Sequence, residues 1–150
     1  MFTIRDVVAI AVRIEENGEQ IYRDAARAVQ RPDLSSLLFW LADEEAQHTK
    51  WFEDFGKKLP QQAADPALEA MARTLLHDAL GPKAFSLDEA ELALAGSMEQ
   101  LLKAAVEMEN DTVLFYEMIS GFVEDEKDRT RLGEIIAQEM EHSKKLSGLL

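Results

Sequence analysis

Four stretches of this chain repeat their apolar residues every three to four positions, the period of an α-helix with one buried stripe. The first runs from residue 3 to about residue 30, with Ile4, Val8, Ala11, Tyr22, Ala25 and Val29 on the stripe. Thr3 and Asp6 suit its start as a capping pair. Arg31-Pro32-Asp33 breaks it, because proline lacks a backbone donor and restricts the residue before it. Asp33 is expected to cap a second helix, with the stripe Leu34, Leu38, Leu41, Phe52 and Phe55, which fades between Gly56 and Pro60. A capping box of Ser97 and Gln100 predicts a third helix, carrying Met98, Leu102, Ala105, Thr112, Tyr116 and Ile119. Gly121 and Glu124-Asp125-Glu126 separate it from a fourth, with Leu132, Ile135 and Leu146.

Short breaks between the first and second helices, and between the third and fourth, make each pair antiparallel. The middle connection, residues 57–96, is too long for a turn. Asp65-Pro66 and the Ser86/Glu89 pair read as starts of one or two short helices lying across the others. The expectation is one all-α domain over residues 1–150, a four-helix bundle with a long helical crossover between helices 2 and 3.

Charged residues interrupt the apolar stripes, and they do so twice in the same way. Glu15 lies on the first stripe, Glu45 and His48 on the second, Glu109 on the third, and Glu139 and His142 on the fourth. An offset of 94 carries Glu15 onto Glu109, Tyr22 onto Tyr116, Glu45 onto Glu139 and His48 onto His142. Ala11-Val12 recurs as Ala105-Val106, Lys50 as Lys144, and the cap position Thr3 as Ser97. The helix pairs 3–56 and 97–150 thus read as an internal repeat. The chain has three histidines and the pattern uses two of them, leaving His77 as a surface histidine on the crossover.

Glu and His three apart on a helix project from one face and can reach one metal ion. A carboxylate within an apolar stripe is costly without a positive partner. Two divalent metals balance four carboxylates beside two neutral imidazoles. Oxygen-rich ligation with one imidazole per metal suits iron or manganese better than copper, and zinc less well. Glu16 is the alternative to Glu15 if the first helix is rotated. Glu16, Glu19, Glu44, Glu107 and Glu141 fall off the stripes and read as solvent-facing charges. Tyr22 and Tyr116, two turns beyond Glu15 and Glu109, are placed to hydrogen-bond a ligand carboxylate, although ordinary core tyrosines would show the same spacing.

Composition narrows the partners. A net charge of −13 disfavours nucleic acid. With no cysteine, the sequence offers no disulfide and no Cys-ligated iron or zinc. No apolar run approaches a membrane span, and the N-terminal run from Val7 to Val12 is a poor signal peptide, so a cytoplasmic protein is expected. Phe39, Trp40 and Trp51 lie beside the second stripe and are expected to pack on the crossover or on another subunit, pointing to a homodimer or higher homo-oligomer.

The pattern of a lone Glu on each of two helices and Glu-x-x-His on each of the other two resembles the ferritin-like di-iron carboxylate superfamily. The strings from Ile14 to Tyr22 and from Glu109 to Tyr116 resemble its rubrerythrin group. That resemblance covers the four main helices. It implies a ferritin-like bundle with two iron ions held by Glu15, Glu45, His48, Glu109, Glu139 and His142, manganese or zinc being alternatives. It also implies an oxidoreductase that reacts with peroxide or dioxygen, as a peroxidase or ferroxidase. Two departures qualify the resemblance. Rubrerythrins carry a Cys-ligated rubredoxin iron, which this sequence cannot build, so electrons are expected from a separate donor protein. They also carry a second Glu three residues after the third-helix ligand, where this chain has Thr112. The competing expectations are a non-catalytic iron-binding or storage protein and a metal-free helical interaction module.

Overall fold

The computed structural model describes residues 4–59, 66, 67, 70 and 98–150. Those residues form four long helices: α1 (Ile4–Ala28), α2 (Pro32–Lys58), α3 (Met98–Ser120) and α4 (Glu126–Ser147). There is no strand among the described residues, and no helix among them is long and apolar enough to cross a membrane. The chain divides into two compact units, residues 1–63 and 64–150. Each contains one helical hairpin.

In the first unit α1 and α2 run antiparallel, tied along their length by contacts that reverse in order. At the turn end Ser35 Oγ donates to the Ala26 carbonyl at 2.8 Å, and at the open end Arg5 Nε donates to the Leu59 carbonyl at 2.8 Å. Between them, Arg23 bridges Glu19 on its own helix at 2.8 Å and Asp43 on α2 at 3.0 Å. The helices come close at Gly56, where an added Cβ would stand 3.2 Å from Val8 Cγ1. Burial follows the expected stripe on α2 without exception: Leu34, Leu38, Leu41, Phe52 and Phe55 are all buried. On α1 the stripe turns slightly at its C-terminal end, so that Ala26 is buried and Ala25 and Val29 are only half-buried.

The start of α2 corrects one expectation. Arg31, extended at φ −104° and ψ 114°, is the N-cap residue and makes no side-chain cap hydrogen bond; Pro32 follows within the first turn. Asp33 therefore lies inside the helix rather than capping it. Proline's fixed φ starts the helix two residues early, with proline at the position where its missing N–H matters least. The Asp33 carboxylate still faces the positive helix end. The guanidinium of Arg31 at 2.9 Å holds its pKa below the usual carboxylate range.

In the second unit α3 and α4 pair across a turn closed by Arg129, whose Nη2 donates to the Val123 carbonyl at 2.7 Å. Asp125 caps α4, its side chain accepting from the Asp128 N–H at 3.0 Å. The expected α3 and α4 stripes are buried at Leu102, Ala105, Thr112, Tyr116, Ile119, Leu132, Ile135 and Leu146. Pro66 and Ala67 are helical, as the Asp65-Pro66 signal suggests. The Thr3 and Ser97 caps, the Ser86/Glu89 pair, His77 and most of the crossover lie outside the described residues.

Candidate metal centre

All six expected ligands are buried, although each is a charged or titratable residue. Glu15, Glu139 and His142 are 0% exposed, His48 and Glu109 are 1% exposed, and Glu45 is 3% exposed. The alternative, Glu16, is exposed, as are Glu107 and Glu141; Glu19 and Glu44 are half-buried. Helical phase separates these groups. A carboxylate four residues from Ala11 stays on the apolar stripe, and its neighbour is turned about 100° away.

Each hairpin gathers its own triad. In the first unit, Glu15 from α1 meets Glu45 and His48 from α2, with ligand atoms all within 4.8 Å of one another. His48 Nδ1 stands 3.5 Å from Glu15 Oε2. In the second unit, Glu109 from α3 meets Glu139 and His142 from α4 within the same limit. His142 Nδ1 is 3.1 Å from Glu139 Oε2 and 3.7 Å from Glu109 Oε1. Two carboxylates and one imidazole in so small a buried space form a hard, anionic donor set, which fits a divalent cation.

Burying several carboxylates together raises the cost of their charged forms. Burial pushes the Glu109 carboxyl up to about 8, and the nearby Glu139 carboxylate adds to the shift, against the opposing hydrogen bond from His142. A group so raised favours keeping its proton until something positive replaces it.

Tyr22 and Tyr116 are 1% and 0% exposed, on the same helices as Glu15 and Glu109. The structure adds two features that sequence reasoning missed. Ser143, next to His142, donates from Oγ to Asn110 Oδ1 at 2.7 Å, joining α4 to α3 beside Glu109. Gly18 is buried on α1, and a Cβ there would lie 3.3 Å from Glu45 Cδ and 3.4 Å from its Oε2. The signal for the second lay in the repeat: the offset that matches the ligands puts Gly18 opposite Thr112.

Comparison with known proteins agrees with this picture. The family model described as Rubrerythrin matches residues 6–150. No curated protein matches the sequence. Among solved structures, the chain is similar to a crystal structure from Thermotoga maritima described as a ferritin-like diiron-carboxylate protein, with a TM-score of 0.71 and 20% identity. The match covers 99% of this chain and 94% of that one. At that identity the likeness is one of fold: all-α, a ferritin-like four-helix bundle.

Proposed function

Because this chain belongs to the rubrerythrin family, we propose that its two triads together hold two iron ions and that the loaded protein reduces peroxide or dioxygen. The carrying observation is the pair of buried Glu/Glu/His triads, one in each unit. Iron bound there would supply the one-electron redox change that the side chains lack. Glu15, Glu45, Glu109 and Glu139 bind through carboxylate oxygens, and His48 and His142 each contribute a ring nitrogen. Phe52, Phe115, Leu38 and Leu132, all at or near zero exposure, line the same helices and keep bulk water away. Tyr22 and Tyr116 hold the carboxylates of the two triads in position by hydrogen bonding. The role resembles that of outer-sphere partners in other metal sites.

Electrons come from a separate donor protein. Phe39 and Trp40, 36% and 40% exposed on α2, support self-association as a homodimer or higher homo-oligomer, and size-exclusion chromatography measures it. A cytoplasmic setting suits a protein that must be loaded with ferrous iron.

A second reading has its own observation. Position 112 is a threonine whose hydroxyl donates to the Met108 carbonyl at 2.8 Å, and it offers no further carboxylate on α3. That favours a protein that binds or stores iron without turnover. One experiment separates the readings: anaerobic loading with ferrous iron, metal analysis, then rapid mixing with peroxide or dioxygen. Two irons per chain with fast ferric absorbance supports the oxidoreductase. Two irons with no fast change supports storage, and no bound metal ends both in favour of a helical interaction module.

A further inference from the structure

The two triads are copies in sequence, yet a position beside them, 18 and its repeat mate 112, differs in kind. Three residues beyond Glu15, α1 has Gly18, and the Glu45 carboxylate from α2 lies directly against it. Three residues beyond Glu109, α3 has Thr112, buried, with its hydroxyl turned to its own helix. Glycine in a helix interior is less favourable than alanine, so a buried one implies that its lack of a side chain matters. Here the reason is visible. A Cβ at position 18 would force Glu45 to yield by a few tenths of an ångström, and a larger side chain would take the space its carboxylate now fills.

We infer that Gly18 is a positioning residue: the gap it leaves on α1 is the seat of the Glu45 carboxylate, and metal binding by the first triad depends on that gap. The inference rests on the ligand set proposed above. Glu139 works without an equivalent glycine, so the two metal positions are unequal in this chain. Metal held through Glu45 is sensitive to bulk at residue 18. Gly18→Thr would write the second half of the repeat into the first.

Cobalt(II) is a suitable probe, being stable in air and visible by its absorbance. The full-length protein is titrated as wild type, Glu45→Ala, Gly18→Ala and Gly18→Thr, with the metal-free melting temperature recorded for each. Glu45→Ala should lose at least one cobalt; if it binds as wild type does, the ligand assignment itself is wrong. With that control met, Gly18→Thr should weaken cobalt binding by about tenfold or more and change the cobalt absorbance. Gly18→Ala should fall between. Wild-type affinity and spectrum in Gly18→Thr would overturn the inference. Should Gly18→Thr fail to fold, melting of Gly18→Ala in the wild-type and Glu45→Ala backgrounds decides. Alanine at 18 should raise the melting temperature only where Glu45 has been removed, and an equal rise in both backgrounds would overturn the inference.

Discussion

His142 Nδ1 and Glu139 Oε2, three residues apart on α4, meet at 3.1 Å in a setting closed to solvent. Beside them Glu109 is held protonated up to about pH 8 by burial and by the Glu139 carboxylate, and that proton must leave as a cation enters. Metal uptake by the empty protein should therefore release a proton, and affinity should climb as pH rises towards about 8. Calorimetric titration in buffers of different ionisation enthalpy measures the release. A binding heat independent of buffer would count against ligation by Glu109.

Glu109 sets the pH response of the metal-free protein. An unfolded chain gives up this proton near 4.5, whereas the folded chain holds it to about 8. Across that window the folded state binds the extra proton, so stability falls as pH rises and levels off above it. Glu109→Gln removes the buried charge. It should stabilise the empty protein near pH 8 by about 1–3 kcal/mol while weakening metal binding. Melting curves at several pH values, with and without metal, read both effects.

Metal should itself be a large part of stability. At a free metal concentration 100 times the dissociation constant, binding adds about 2.7 kcal/mol to the folded state. Addition of a chelator should lower the melting temperature of wild type by several degrees and leave Glu45→Ala and Glu139→Ala much less affected. A chelator-insensitive wild type would argue for the metal-free module.

The Ser143–Asn110 hydrogen bond joins α4 to α3 at the level of the second triad. Ser143→Ala should cost about 0.5–1.5 kcal/mol, since Asn110 is exposed and water can replace the lost donor. Metal stoichiometry should stay at the wild-type value, because no ligand is removed. Urea denaturation and metal analysis of the same sample test both statements.

Legibility of this molecule in its sequence follows from the source of each signal. The α2 and α4 stripes were readable residue by residue, since apolar side chains three and four apart leave one helical phase for burial. The same phase put Glu15 inside and Glu16 outside. The repeat ties the six buried ligand candidates together by spacing alone. Asp33 was misplaced because a proline in the first turn and an acidic cap give similar strings, and proline's fixed geometry prevailed. Ala26 replaced Ala25 on the buried face because a real helix departs from the ideal phase over seven turns. The repeat marks position 18 by carrying Gly18 onto Thr112, but its closeness to Glu45, like the Ser143–Asn110 bond, is defined by a neighbouring helix rather than by local spacing.

The hairpin of α1 and α2 behaves as a beam held at both ends. Ser35 fastens it at the turn and Arg5 at the far end, while Glu15, Glu45 and His48 occupy the span between the two supports. A beam so held cannot splay at mid-span without lifting off a support. Mechanical looseness introduced at Arg5 or Ser35, far from any ligand, should then register as a wider distribution of geometries in the middle.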